Sequence, residues 1–166
     1  MPSDHAFHIR PSTTSDSALI LGFIRELAEY EKLAHEVSAT EQDIQTQLFG
    51  AKPRAECVIA ELDGRPIGFA LYFHNFSTFL GKPGLYLEDL YVQPEFRGRG
   101  YGKRLLTCLA KLALARGCGR FEWAVLDWNA PAIRFYQSLG AEMLQSWRIN
   151  RVSGPALQKL AAGARD

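Results

Sequence analysis

The stretch Leu85-Tyr-Leu-Glu-Asp-Leu-Tyr-Val92, followed by Gln93-Pro-Glu-Phe96 and by Arg97-Gly-Arg-Gly-Tyr-Gly-Lys103 running into Leu105-Leu106, decides the reading of this chain. It reads as a strand, a turn and an anion-binding helix start in one piece. Gly98, Gly100 and Gly102 remove side chains and permit positive φ, so successive backbone N–H groups can converge on one anion. The helix that follows adds unpaired N–H groups and its positive dipole end. Arg97, Arg99, Lys103 and Arg104 bring positive charge to the same spot, which suits a ligand with several phosphate oxygens. A phosphorylated cofactor, gripped at its diphosphate by the backbone, is expected.

Two familiar glycine patterns fail on spacing. A dinucleotide fingerprint starting at Gly98 needs its third glycine at Lys103, and here that glycine comes one residue early. A P-loop ending on Lys103 needs a glycine at Arg97 and a hydroxyl at Arg104. The fit instead is R-x-x-G-x-G on Arg97, Gly100 and Gly102.

With Tyr86-Leu-Glu-Asp89 ahead of it and Trp128-Asn-Ala-Pro-Ala-Ile-Arg-Phe-Tyr136 behind, that string resembles the GNAT superfamily of acyl-CoA-dependent N-acyltransferases. The resemblance runs from Ile9-Arg10-Pro11 through Glu26-Leu-Ala-Glu-Tyr-Glu31 to Gly140-Ala141 and Trp147-Arg148, and looks closest to the diamine (spermidine/spermine) and thialysine N-acetyltransferases. It implies acetyl-CoA (coenzyme A) as cofactor, held by Arg97, Gly98, Arg99, Gly100, Tyr101, Gly102 and Lys103, with Asn129 and Tyr136 contributing. It also implies that the strand ending at Leu90, Tyr91 and Val92 splays from its neighbour and offers its free backbone groups to the pantetheine arm. One of those amides would polarise the thioester oxygen. A homodimer is implied too, with the region from Trp147 to Val152 near the partner.

The 166 residues predict one domain, 1–166, with a core over about 6–152 and a C-terminal tail over 153–166; a chain of this size buries roughly 70% of its unfolded surface. A formal charge of +1 with 22% charged residues gives no support for a nucleic-acid or membrane partner. Cys57, Cys108 and Cys118 form neither a metal spacing nor an even framework, so reduced thiols are expected. His5, His8, His35 and His74 are scattered, and no metal is expected. The N-terminus lacks an apolar leader core, and Lys111 interrupts the most apolar helix, so a cytoplasmic location is expected.

Along the chain, Phe7 to Arg10 reads as a strand, and Leu19, Phe23, Leu27 and Tyr30 recur at helical spacing after the cap-rich run 12–16. A second helix is predicted from the Ser38-Ala-Thr40-Glu41 region to Gly50. Cys57–Leu62 and Pro66–Phe73 flank an Asp63-Gly64 turn, a strong hairpin signal. Residues 75–84 read as a loop, 85–92 as a strand, 100–116 as a helix ended by Gly117, and 121–126 as a strand. Asn129 caps a helix with Pro131 in its first turn, stopped by Gly140, and 143–152 supplies one or two late strands. The fold class is therefore α/β (mixed α+β), a central mixed sheet with helices on both faces; the resemblance implies that it is the GNAT acyl-CoA N-acyltransferase fold, with that sheet mostly antiparallel.

Acyl transfer to an amine needs a free lone pair on nitrogen, polarisation of the thioester carbonyl and a proton for the leaving thiolate. An alkylammonium with a pKa near ~10.4 must lose its proton, and Glu88 is the candidate base, acting through water as the resemblance implies. Consecutive strand residues face opposite sides, so Glu88 and Asp89 share a pocket only if a bulge re-aims one of them, and the resembling enzymes have such a bulge. Tyr136 is the candidate acid, a phenol near ~10 protonating a thiolate near ~8.5. Its neighbour Phe135, rotated about 100° around the helix, reads as the core ring. Asn129 is a helix cap as readily as a cofactor contact.

Tyr30, Glu31, Glu88, Asp89 and Trp147 match the amine-pocket positions of the resembling diamine enzymes, and Phe79 stands where polyamine-specific members have Trp. Rings with carboxylates suit a cationic chain. The loop 75–79 lacks the acid that those members carry there, which costs a second ammonium about 1–3 kcal/mol. The expected acceptor is thus a small primary amine, thialysine-like or lysine-like or a short diamine. Acetylation of spermidine or spermine is the alternative, and a non-catalytic acetyl-CoA sensor is the other class.

Overall fold

An Asp-Gly turn sets the centre of the sheet: Asp63 (φ 51°) and Gly64 (φ 78°) both take left-handed backbone and fold strand β2 (Glu56–Leu62) onto β3 (Arg65–Ser77). The computed structural model describes residues 6–163; the expectations for residues 1–5, where no apolar leader was read, and for the last three residues of the tail lie outside them. The chain divides into two units, residues 1–126 and 127–166.

In the first unit, β1 (Phe7–Pro11), β2, β3 and β4 (Lys82–Val92) pair antiparallel in sequence order, and β5 (Arg120–Trp123) joins β4 in parallel. The helices are α1 (Ser17–Tyr30), α2 (Glu41–Phe49) and α3 (Tyr101–Ala115). Thr40 caps α2 reciprocally: its hydroxyl accepts from Asp43 N–H at 3.2 Å while the Asp43 carboxylate accepts from Thr40 N–H at 2.8 Å.

Ile20, Leu21 and Phe23 of α1 and Ile44 and Leu48 of α2 are buried with Cys57, Ile59, Phe69, Leu71 and Tyr91 of the sheet. Phe23 stacks on Phe69 at 5.5 Å between ring centroids. Each such side chain contributes about 1.5–3 kcal/mol by burial. Strand alternation sends Leu85 and Leu87 to the opposite face, and α3 packs against β4 with Leu105 and Leu109 fully buried. Helices on both faces of a mostly antiparallel sheet are as the sequence predicts.

The loop expected over 75–84 is instead a hairpin. β3 runs on to Ser77 and pairs it with Lys82, leaving only 78–81 as the turn, with Gly81 at φ 62°. Polar Asn75 and Ser77 break the apolar alternation that marks a strand, but pairing with β4 satisfies their backbone all the same. β5 is also shorter than expected, ending at Trp123.

In the second unit, α4 (Ala130–Ser138) starts at Asn129 and α5 (Gly154–Ala161) forms inside what was read as tail. The late strands expected over 143–152 do not form. This segment pairs with no strand among the described residues, and Trp147 and Ile149 stand 76% and 80% exposed. Residues of strand-like type without a neighbouring strand gain no ladder hydrogen bonds, so propensity alone does not order them.

An ion-pair cluster fastens β1 to α1. Arg10 donates to both Asp16 oxygens at 2.8 and 2.9 Å and to Glu61 at 2.7 Å, while Asp16 also accepts from Thr13 N–H at 2.7 Å. The Arg10 hydrogen bonds, opposed by burial, lower the Asp16 carboxyl to about 2. A carboxyl depressed in the folded state stabilises above its unfolded pKa, near 3.8, and that contribution is lost as pH falls toward 2. Asp16→Ala should therefore destabilise by about 2 kcal/mol at pH 7. In urea unfolding, its deficit against wild type should shrink between pH 4 and 2.

Candidate active site

The pairing of β3 with β4 slips at one residue. Leu71 faces Asp89 and Tyr72 faces Leu87, so Glu88 is the extra residue of a β-bulge. Before the bulge, Leu85 and Leu87 point to the α3 side; after it, Asp89 and Tyr91 share the α1 side with Cys57 and Leu71. By alternation Glu88 also takes the α1 side, so the bulge gives two successive carboxylates one face, as the sequence required for a shared pocket.

Asp89 is partly buried, and its carboxyl is pushed up to about 7 by desolvation first, then by the charges of Glu88 and Glu31. Burial also raises Glu31, the residue that ends α1. Two carboxylates thus act on Asp89, one from the bulge and one from the end of the first helix. Cys57, in the row Cys57–Leu71–Asp89, is pushed up to about 12 by its burial, so its thiol stays neutral.

β4 pairs with β5 only over Gly84–Leu87. From Glu88 to Val92 it therefore has β3 on one edge and, among the described residues, no strand on the other. The end of β4 can accept an extended ligand along that edge. Immediately beyond it come a short turn (Pro94–Phe96), Arg97 and the glycines.

Gly98 (φ 74°) and Gly100 (φ 84°) adopt left-handed backbone, and a Cβ at either would meet nothing within 4 Å. Conformation rather than crowding demands glycine here, and the space above the loop is open. The Arg104 N–H donates to the Gly100 carbonyl at 3.0 Å, so the amides of Tyr101, Gly102 and Lys103 precede the first helical hydrogen bond. Convergent amides, a helix dipole and an open approach fit a diphosphate.

The nearby cations are arranged differently from what charge alone predicts. Arg97 Nε donates to the Val92 carbonyl at 2.8 Å, and its guanidinium lies over the rings of Tyr30 (4.7 Å) and Tyr91 (5.3 Å). It braces the end of β4 against the end of α1. Arg104 covers Phe7 at 4.0 Å, Phe7 stacks on Tyr101 at 4.7 Å, and Arg99 lies 6.0 Å from Phe96. The arginines are thus occupied by the protein's own rings, which leaves the loop amides open, and Lys103 is exposed on the first turn.

Of the expected amine-site residues, Tyr30, Glu31, Glu88 and Asp89 come together around the bulge, whereas Phe79 sits fully exposed (100%) at the β3–β4 hairpin tip. At about 3.3 Å per strand residue that tip is roughly 20 Å or more from Asp89. Asn129, Tyr136 and Trp147 belong to the second unit. Asn129 is buried and accepts from Ala132 N–H at 3.3 Å, so it is a helix cap. Tyr136 and Phe135 are both half-buried with centroids 5.5 Å apart, so the expected contrast between a core ring and an open ring is not seen.

The family model for the acetyltransferase (GNAT) family matches residues 23–141. The thialysine N-epsilon-acetyltransferase of Sus scrofa is 41% identical over 92% of this chain and 96% of its own length. The L-ornithine N5-acetyltransferase NATA1 of Arabidopsis thaliana is 31% identical over 96% and 90%. Among solved structures, an integron cassette protein from the mobile metagenome of V. cholerae superposes with a TM-score of 0.79 at 28% identity, over 93% of this chain and 97% of that one. The chain belongs to the GNAT family of acetyltransferases, enzymes whose acetyl donor is acetyl-CoA.

The raised Asp89 carboxyl has a thermodynamic signature. A carboxyl titrating near 7 in the folded protein and near 3.8 unfolded costs stability progressively as pH rises through that window. Asp89→Asn removes the cost. Its Tm should exceed wild type by roughly 2–8 °C at pH 8, the advantage fading toward pH 4, as read by calorimetry.

Proposed function

We propose that this chain moves an acetyl group from acetyl-CoA directly to the primary amine of a small cationic acceptor, a thialysine-like or lysine-like amine or a short diamine. The observation that carries the reading is the bulge at Glu88, which gives Glu88 and Asp89 one face beside the unpaired end of β4. Two relatives are named for acetylating the side-chain amine of a basic amino acid, which favours an acceptor of that kind. A relative named spermidine/spermine N(1)-acetyltransferase-like protein 1 of Homo sapiens, 33% identical, keeps polyamines as the second reading.

In this mechanism acetyl-CoA supplies the acetyl group as a thioester. The amides of Gly98 to Lys103 hold its diphosphate, with Arg97, Arg99 and Tyr101 shaping the loop and Asn129 adding a contact. The backbone of Leu90, Tyr91 and Val92 takes the pantetheine arm, and one amide there polarises the carbonyl. Tyr30, Glu31, Asp89 and Trp147 receive the cationic acceptor. Glu88 draws off the ammonium proton through water, and Tyr136 returns a proton to the leaving thiolate.

The protein acts as a single acetyltransferase domain, in the cytoplasm, as a homodimer. A second copy would cover the exposed Phe79 and Phe76 of the hairpin tip and the apolar run around Trp147 and Ile149.

Purified protein, acetyl-CoA and an amine panel test this by thiol release. Lysine-like amines and short diamines should show the highest kcat/KM. Spermidine leading by a wide margin would select the second reading, and acetyl-CoA binding without turnover of any amine would select a sensor. Tyr136→Phe should lower kcat by roughly 10²-fold or more, with acetyl-CoA affinity changed little. Gly100→Ala should weaken acetyl-CoA about tenfold in calorimetry, because alanine resists the left-handed backbone by about 1–2 kcal/mol.

A further inference from the structure

We propose that Asp89 is where the proton of the acceptor's ammonium comes to rest, with Glu88 passing it inward from the exposed side of the bulge. The proposal builds on the acetyl-transfer reading and names the proton acceptor within it. Glu88 is the exposed residue of the bulge, and Asp89 follows it on the same face, in line with Cys57 and Leu71 of the neighbouring strands. A proton entering at Glu88 has one more carboxylate behind it, and that carboxylate is withdrawn from water.

The groups facing Asp89 all disfavour its charged form or leave it unchanged. Glu88 on β4 and Glu31 at the end of α1 are negative. Cys57 on β2 is a neutral thiol, and Tyr91, two residues along β4, is a phenol pushed up to about 12 by burial and its bond to Glu26. Arg97, the cation beyond the turn that follows the same strand, is committed to the Val92 carbonyl and the rings of Tyr30 and Tyr91.

In the step itself, the N–H bond of the ammonium breaks, its electron pair stays on nitrogen, and an O–H bond forms on Asp89. After acetyl transfer Asp89 returns the proton to solvent past Glu88. A carboxylate of ordinary pKa holds a proton taken from an ammonium near ~10.4 about once in ~10^6.6 attempts. With the Asp89 carboxyl at about 7, that fraction rises roughly a thousandfold. The same neighbours that make Asp89 costly to ionise make it a competent base near neutrality.

The test is the pH dependence of kcat/KM for the best amine of the panel, in wild type, Asp89→Asn and Glu88→Gln, with acetyl-CoA affinity measured separately by calorimetry. Wild type should show an acid limb near pH 7. Asp89→Asn should abolish that limb and lower kcat by roughly 100-fold or more, with acetyl-CoA binding within about twofold of wild type. Glu88→Gln should slow turnover yet keep the limb, displaced to lower pH because one repelling charge is gone.

The reverse pattern, a limb retained in Asp89→Asn and lost in Glu88→Gln, overturns the proposal and leaves the acetyl-transfer reading standing. Wild type inert toward every amine sinks both. If Asp89→Asn fails to fold, the carboxyl ¹³C titration of Asp89 in wild type decides: a midpoint below pH 5 overturns the proposal, and one near 7 that falls in Glu88→Gln supports it.

Discussion

One slipped residue in the ladder between β3 and β4 decides which face Glu88 and Asp89 take. Without the extra residue at Glu88, alternation would put Glu88 and Asp89 on opposite faces, and one of them would point toward the α3 side among Leu85, Leu87 and Leu105. The bulge lies next to the point where β5 stops pairing with β4. The carboxylates and the open strand edge are therefore neighbours in sequence and in space, and a group lying along that edge is brought up to them. A bulge bends its strand and sharpens the local twist, consistent with a partner strand lost at the same point.

That arrangement sets stability against function. Asp89 is partly withdrawn from water with two other carboxylates acting on it, which the fold tolerates because the cost is offset elsewhere. Part of the offset is visible in the Phe23–Phe69 stack and the aliphatic residues of α1 and α2, and part in the Arg10 cluster that fastens α1 to β1 and β2. α1 matters twice: its buried face anchors it to the sheet, and its last residues carry Tyr30 and Glu31 to the bulge. A helix one turn shorter would leave Asp89 without Glu31, and its carboxyl closer to the ordinary range.

The features legible in the sequence were those fixed by a few adjacent residues. Asp63-Gly64 needs positive φ twice, the cap-rich run ending at Thr40-Glu41 starts α2, and Gly98 and Gly100 sit where only glycine is unstrained. What escaped the reading was non-local. The hairpin of β3 and β4 extends through polar Asn75 and Ser77 because each strand supplies the other's hydrogen bonds, which composition cannot register. Over 143–152 the error runs the other way, since strand-like residues were given strands although the described chain provides them no neighbour. Within the site, the pairing of Glu88 and Asp89 was anticipated as a geometric condition. That Asp89 rather than Glu88 would be the desolvated member, with Glu31 bearing on it from α1, needed the fold.

The cation arrangement carries the last step. A cluster of arginine and lysine beside glycines reads as a set of phosphate ligands, yet Arg97, Arg99 and Arg104 each lie against an aromatic ring of the protein's own. A guanidinium over a ring keeps its charge and its field while its position is fixed by packing. The loop thereby keeps a positive potential without long side chains folding across its amides, and the glycines leave that approach open. Arg97 does one thing more: holding the Val92 carbonyl while covering Tyr30 and Tyr91, it ties the end of the strand that feeds the glycine loop to the end of the helix that carries Tyr30 and Glu31. One side chain thus fixes the spacing between the glycine loop's backbone and the carboxylates, the spacing that the proposed transfer from a thioester to an amine relies on.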